Sequence, residues 1–140
     1  MQMYELIEPE TIDCIGCWEG NTQQFDMVVG YSLFGHILLF ATESNEYAVL
    51  HPFRQSMKQY GAFENTESFE NEVLKDEGFI EYVFEPEHLQ LVSEHVGLLE
   101  KLEVYIPCPY PMVGGSCEPD TYSKGNVWVF IELVGQTHGL

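Results

Sequence analysis

The sequence predicts a single α+β domain in which an antiparallel or mixed β-sheet carries helices on one side. The chain has 140 residues, which is enough for one hydrophobic core. Hydrophobic residues make up 45% of it and aromatic residues 14%, far more than a disordered acidic chain contains. Strand-like apolar runs are interspersed with helical patterns, and no repeat or linker divides them, so residues 1–140 are predicted to form one domain.

The first half of the chain is predicted to supply the sheet. Residues 3–13 are acidic and fit either an edge strand or a short helix. Residues 27–40 read MVVGYSLFGHILLF, which predicts extended structure with bends or bulges at Gly30 and Gly35. Residues 46–51, EYAVLH, follow a turn-like segment and complete a predicted hairpin.

The middle of the chain is predicted to be more helical. Residues 54–60 fit a helical turn. A clearer helix is predicted to begin at Asn65, a good N-cap residue, and to end at Gly78. Residues 79–84 then place alternate apolar side chains on one side of a predicted short strand.

The last third combines a helix, a loop and a strand. Pro86 is predicted to open a helix whose apolar residues recur at spacings of three and four, with Gly97 as the C-cap. Three prolines within residues 104–115 predict a fixed, extended loop. Residues 126–134, NVWVFIELV, are apolar on both sides and predict a strand in the middle of the sheet.

The charge is the strongest functional signal. Asp and Glu number 23 against five Lys and Arg, a net charge of −18, which repels nucleic acid and membranes and accelerates association with basic partners. Between residues 64 and 94 the only Lys or Arg is Lys75. A surface that only maintains solubility is the alternative interpretation. Apolar anchors such as Tyr60, Phe63 or Tyr82 would supply affinity. The candidate partner-binding residues are Glu64, Glu67, Glu70, Glu72, Asp76, Glu77 and Glu81.

No motif indicates catalysis, a cofactor or a metal. Cys14 and Cys17 form a CxxC, but it lies in a Gly-rich turn, and Cys108 and Cys117 are poorly spaced to complete a zinc site. Free structural thiols are favoured over a redox or metal centre. There is no HExxH, GxSxG or Walker-type loop, so no catalytic, cofactor-binding or metal-binding residue is predicted.

The N-terminal sequence MQMYELIEPE lacks both the basic and the apolar region of an export signal. No apolar run approaches the ~20 residues of a membrane span. A cytoplasmic location is therefore expected.

The C-terminal third resembles a known family. Residues 97–105, GLLEKLEVY, run into residues 106–115, IPCPYPMVGG, and these are followed by Lys124 and the segment 127–136. The pattern is similar to the G-x-L turn, the Y-x-x-P-a-x-x-x-G-G loop and the last apolar strand of the C-terminal domain of bacterial type VI secretion immunity proteins and the associated GAD-like proteins.

An upstream segment extends the resemblance. Residues 29–35, VGYSLFG, together with His51 and Pro52, are similar to the family's G-x-s-x-F-G strand and the segment that follows it. The resemblance therefore covers about residues 29–136. Its matching positions are read as fold determinants, at which backbone approaches backbone in a rigid turn. These positions are Gly35, Pro107, Gly114 and Gly115.

The resemblance implies a cytoplasmic immunity protein that binds a cognate toxin, in the best-known branch a DNase effector, with no catalytic residue or cofactor of its own. The charge agrees, because a nuclease toxin must be cationic to bind phosphates. We therefore expect stoichiometric neutralisation of a basic toxin. The alternatives are an acidic nucleic-acid mimic, a small CxxC thiol or metal protein, and an immunity protein of the SUKH type.

Overall fold

The computed structural model describes residues 1–140 and contains a five-stranded antiparallel sheet in the order β1-β2-β3-β4-β5. The α+β class and the antiparallel sheet are thereby confirmed. Of residues 3–13, which fitted either an edge strand or a short helix, residues 4–11 form an edge strand. The predicted hairpin joins residues 37–41 to residues 46–51. The strands are β1 (Tyr4–Thr11), β2 (Met27–Ser32), β3 (Ile37–Ala41), β4 (Glu46–His51) and β5 (Ser56–Ala62).

Both faces of this sheet are covered, whereas helices were predicted on one side. Alternate residues of β3 belong to two separate core clusters: Ile37 and Leu39 pack with the C-terminal part of the chain, and Leu38 packs with the middle helices. The physical reason is that β2, β3 and β4 are apolar at nearly every position, so both of their faces require burial.

Residues 56–62 form the edge strand β5, so the prediction of a helical turn over residues 54–60 was wrong. β5 pairs with β4 from the register His51↔Ser56 to Glu46↔Ala62, and only residues 52–55 turn. The backbone hydrogen bonds between β4 and β5 outweigh the local tendency of this segment to form a helical turn. Gly30 lies at a bulge between β2 and β3, as its position within an apolar run predicted.

The first helical layer covers one sheet face. Helix α1 (Thr66–Phe69) continues as a π-helical segment, Glu70–Leu74, and helix α2 (Glu77–Phe79) continues as a second, Ile80–Phe84. The predicted cap is confirmed, since Asn65 Oδ1 accepts a hydrogen bond from Ser68 N at 2.8 Å.

The prediction of a strand over residues 79–84 was wrong, because Asp76 caps a helix immediately before them. Its Oδ2 accepts a hydrogen bond from the backbone N–H of Phe79 at 3.0 Å. Phe79, Val83 and Phe84 are buried against the sheet at helical spacing. The alternation seen in the sequence is incidental, since a six-residue apolar run is too short to separate the two periods.

Helix α3 (Pro86–Val96) has the predicted bounds, with Gly97 at its C-cap. The segment predicted as an extended loop begins with strand β6 (Glu103–Pro107), which pairs antiparallel with β7 (Tyr122–Asn126) in a second, two-stranded sheet. Only residues 108–121 lie outside this ribbon.

The final element, predicted as a central strand, is helix α4 (Val127–Thr137). Asn126 Oδ1 accepts hydrogen bonds from Trp128 N at 2.9 Å and Val129 N at 3.1 Å, which caps the helix. The buried positions recur at helical spacing and pack on the second sheet face, while Val129 and Leu133 are exposed. None of the helices in the fold combines the length and the apolar character needed to cross a membrane.

Candidate functional site

The seven predicted partner-binding carboxylates are placed by α1, α2 and the segments that flank them. We call this set the acidic face. All of them are exposed except Glu70, which is half-buried. None has a cation within 4.0 Å, since Lys124–Glu103, at 3.9 Å, is the sole ion pair in the chain. Lys75 does not neutralise any of them. The acidic face therefore presents its charge to solvent.

Two members of the acidic face also support the fold. Glu70 Oε2 accepts a hydrogen bond from Tyr4 OH at 2.5 Å, which joins the π-helical segment to β1. Burial, together with this carboxylate, raises the pKa of Tyr4. Asp76 is the cap of α2 described above. The members without a side-chain hydrogen bond are Glu64, Glu67, Glu72, Glu77 and Glu81.

The three apolar anchors differ in availability. Tyr60 and Phe63 are half-buried and pack their rings against the core residue Phe69, with centroids 6.3 and 5.5 Å apart. Tyr82 is 68% exposed and adjoins Glu81 on the outside of the second π-helical segment. Only Tyr82 is thus available to a partner.

A cleft of about 530 Å³, which the sequence analysis did not anticipate, lies where five parts of the chain meet. We call it the histidine cleft. The contributors are the β2–β3 turn, the β4–β5 turn, the end of the second π-helical segment, α3 and the β6–β7 loop. The residues that line it include three of the five histidines, the only arginine and four aromatic residues: His36, His51, His88, Arg54, Phe34, Phe53, Tyr82 and Tyr122.

Arg54 lies on the turn between β4 and β5. Its Nη1 donates a hydrogen bond to Tyr82 OH at 3.1 Å, and its guanidinium lies 5.5 Å from the centre of that ring. No carboxylate lies within 4.0 Å of it, despite the 23 acidic residues of the chain. Four of the five N–H donors of an arginine side chain are therefore free of protein acceptors.

The hydrogen bonds of Ser32 define the tautomer of His36. Ser32 Oγ accepts from the backbone N–H groups of Phe34 at 3.3 Å and His36 at 3.0 Å, and it lies 2.7 Å from His36 Nδ1. Since both acceptor positions are used, the hydroxyl proton is donated to Nδ1. The neutral ring therefore carries its proton on Nε2, which has no protein partner.

Burial, the neighbouring His51 and the charge of Arg54 lower the pKa of His36 to about 3. The rings of His36 and His51 meet edge to face, with centroids 5.0 Å apart. The pKa of His51 is also lowered, by burial and then by Arg54 and Lys58. Both imidazoles are therefore neutral at neutral pH and act as hydrogen-bonding groups.

Aromatic rings form one wall of the cleft. Phe34 stacks on His88 with centroids 5.4 Å apart and an interplanar angle of 28°. Tyr122 contacts both rings, and its hydroxyl lies 3.1 Å from His88 Nε2. The wall joins the β2–β3 turn to α3 and β7.

Cys14 and Cys17 lie in the segment Ile12–Trp18, two short 3-10 turns joined by a kink at Ile15 and Gly16, which packs against α4. Burial and nearby carboxylates raise the pKa of Cys14 to about 11, and burial and Glu132 raise the pKa of Cys17. Catalytic and metal-binding cysteines need the opposite shift. No group of three or more His, Cys, Asp or Glu side chains is arranged to hold a metal. Cys17 helps to dock this segment on α4, since its Sγ lies 3.5 Å from the carbonyl oxygen of Glu132.

Two of the four motif positions of the resemblance, Gly35 and Gly115, have close-packed surroundings. At Gly35, φ is +91° and an added Cβ would lie 2.3 Å from a ring carbon of Phe130. An added Cβ at Gly115 would lie 2.0 Å from the carbonyl oxygen of Pro109, so only glycine permits this backbone approach. Gly114 also has a positive φ of +100°, and Pro107 is buried at the end of β6.

The histidine cleft had only faint signals in the sequence. His36 and His51 are 15 residues apart, and His88 is 37 further on, so no motif spacing connects them. The pairing of β3 with β4 brings the first two together, because their positions lie at the same end of the hairpin. The single arginine within an acidic chain was the one clue available.

No protein-family model matches this chain, and no curated protein matches it in sequence. Among solved structures, the fold is similar to that described as the crystal structure of Atu4351 from Agrobacterium tumefaciens, with a TM-score of 0.69 at 17% sequence identity. The similarity covers 96% of this chain and 66% of that one. At this identity the similarity concerns the fold alone.

Proposed function

We propose that this protein is a bacterial immunity protein that acts in the cytoplasm, where it binds a cognate basic toxin, such as a nuclease effector, and neutralises it stoichiometrically. The main support is that the carboxylates of the acidic face are accessible and have no ionic partners. A nuclease presents cationic groups to its substrate phosphates, so an acidic inhibitor competes for the same surface. The resemblance of residues 97–115 to type VI secretion immunity proteins supplies the class of partner.

Charge and direct contact contribute differently to binding: charge sets the association rate, and buried contacts set the affinity. Unpaired carboxylates accelerate encounter and exclude acidic competitors, but exposed ion pairs add little affinity. Affinity requires desolvated anchors, and Tyr82 is the aromatic residue available beside the acidic face. We infer that Tyr82 is buried in the complex while Glu77 and Glu81 orient the partner.

Charge reversal of the acidic face tests this function. The best variant replaces Glu67, Glu72, Glu77 and Glu81 by lysine, because none of them caps a helix or bonds to another element. The candidate toxin encoded beside this gene is expressed in a bacterial host with each form of the protein. We expect loss of protection and at least a tenfold slower association, since steering supplies a factor of 10 or more.

The matched control replaces four exposed carboxylates elsewhere, Glu10, Glu19, Glu100 and Glu118, by lysine. Each replacement adds two charges, so both variants change from −18 to −10. Retained protection by the control together with loss in the first variant places the partner on the acidic face. Equal protection by both variants, with the toxin shown to be active, would contradict this assignment.

The same unpaired carboxylates also favour a second candidate, an acidic mimic of nucleic acid. A mimic competes with DNA for many unrelated DNA-binding proteins, whereas an immunity protein forms a tight one-to-one complex with one toxin. Competition against a panel of DNA-binding proteins separates them. Broad inhibition, with no protection against the candidate toxin, would replace the immunity proposal by this one.

A further inference from the structure

We propose that the histidine cleft binds a small organic oxyanion that contains a flat ring, either a carboxylate or a phosphate monoester. The ring of this ligand lies against the aromatic wall. The cleft holds four of the chain's ten Lys, Arg and His residues and a single carboxylate, that of Glu85. Arg54 balances the charge of Glu85, so the cleft lacks the excess of negative charge found in the chain as a whole. None of the seven carboxylates of the acidic face lines the cleft, and Tyr82 lies at the border between the two surfaces.

Arg54 provides the charge that an oxyanion requires. Its hydrogen bond and cation–π contact with Tyr82 hold the guanidinium at the edge of the cleft, while most of its donors remain free. The planar guanidinium matches the two oxygens of a carboxylate or phosphate. Arg54 has no carboxylate partner, although the chain is rich in carboxylates. Its guanidinium is therefore free to bind the anionic group of a ligand.

Neutral donors complete the polar part of the cleft. The Ser32 hydrogen bonds leave His36 with its Nε2–H free, and His51, whose ring nitrogens have no protein hydrogen bond, contacts the same ring. No side-chain nitrogen in the chain is both buried and unpaired, so these nitrogens remain reachable from solvent. An anion at Arg54 thus has hydrogen-bond donors on its inner side.

The apolar part of the cleft selects a ring. Phe34, His88 and Tyr122 form a continuous aromatic wall, and Met112 and Pro111 lie on the β6–β7 loop side. A volume of about 530 Å³ lies within the range of small-molecule sites, roughly 300–1,000 Å³. A bare inorganic ion would leave most of this space unfilled, so the ligand is an organic anion.

Titration calorimetry of the full chain with three probes tests the proposal. The probes are benzoate, phenyl phosphate and the neutral benzyl alcohol, at an ionic strength of ~0.15 M, where the Debye length is about 8 Å and distant carboxylates are screened. We expect saturable binding of one or both anions and at least tenfold weaker binding of the alcohol. The tighter anion identifies the ligand as a carboxylate or a phosphate monoester.

Two variants assign the binding to the cleft. Arg54→Gln should weaken anion binding at least tenfold, and Arg54→Lys, which keeps the charge but not the planar guanidinium, should lie between it and the native chain. Lys101→Gln removes the same charge from an exposed position outside the cleft and should leave affinity unchanged. Arg54 is exposed on a turn, so the fold should persist, and near-UV circular dichroism checks this.

Absence of saturable binding for both anions would overturn the proposal, as would an unchanged affinity in Arg54→Gln or equal binding of benzyl alcohol. Toxin neutralisation is a separate measurement. Arg54 contacts Tyr82, the inferred toxin anchor, so the charge-reversed acidic-face variant separates the two proposals: its four replaced carboxylates do not line the cleft, and it should still bind the anion. Failure of either proposal therefore leaves the other testable.

Discussion

At the scale of single residues, His36 shows how a neutral histidine is maintained beside an arginine. Ser32 donates its hydroxyl proton to Nδ1, while burial, His51 and Arg54 all oppose a second proton on the ring. The unfolded chain has no such constraint, and its histidines titrate near the ordinary pKa of about 6.5. The ring therefore links folding to pH.

This linkage predicts an acid-sensitive stability. Because the folded-state pKa of His36 is lowered to about 3, the unfolded state alone binds a proton as the pH falls from about 6.5 towards 3. Stability should therefore decrease over that window, by at most about 1.4 kcal/mol per pH unit.

Urea unfolding between pH 7 and pH 4 measures this effect as a difference from His36→Asn. The amide of that variant can still accept the Ser32 hydrogen bond but does not titrate. The native chain should lose more stability than the variant. If the stabilities of the native chain and of His36→Asn changed in parallel with pH, His36 would not be the source of the acid sensitivity.

At the scale of elements, α4 shows how an N-cap supports a helix in an apolar segment whose pattern is ambiguous. Residues 127–134 are apolar in almost every position, so their pattern is compatible with a buried strand or a buried helix. Asn126 supplies the carboxamide that accepts two N–H groups of the first turn, and the helix buries Val127, Phe130, Ile131 and Val134.

Replacement of Asn126 by alanine should lower the free energy of unfolding by about 1 kcal/mol, the usual cost of losing an N-cap. Asn126→Ser, which keeps a capping oxygen, should cost less than half of that. Chemical denaturation of the three forms measures both values. A variant Asn126→Ala as stable as the native chain would mean that the cap does not stabilise α4.

At the scale of the whole molecule, the net charge is −18 and nearly all of the 23 carboxylates lack an ionic partner, since the chain has one ion pair. Carboxylates on a compact body repel each other more than on an expanded chain, so the charge favours solubility at the expense of stability. Added salt screens this repulsion.

We therefore expect the melting temperature to rise between ~0.01 and ~0.3 M sodium chloride. The two four-lysine variants, with net charges of −10, should both show a smaller rise, because their self-repulsion is weaker. Calorimetry at a series of salt concentrations measures the slopes. An equal slope in all three forms would indicate a Hofmeister effect unrelated to charge.

Sequence alone was sufficient where the signal is local and redundant. The α+β class, β2 to β4, the Asn65 cap and the bounds of α3 were predicted correctly, because turn, cap and periodic signals coincide there. The acidic face was also visible, since exposed charge needs no partner to be recognised. The immunity function remains a proposal that rests on that charge and on the family resemblance.

Tertiary structure decided what local patterns leave ambiguous. Residues 56–62 became a strand by pairing with β4. Residues 79–84 and 127–134 became helical by burying one face of an apolar run on the sheet. The histidine cleft required five separate parts of the chain to meet, and no spacing in the sequence encodes that. Contacts between residues distant in sequence are energetically decisive but leave no local signal, which is why only the folded chain reveals them.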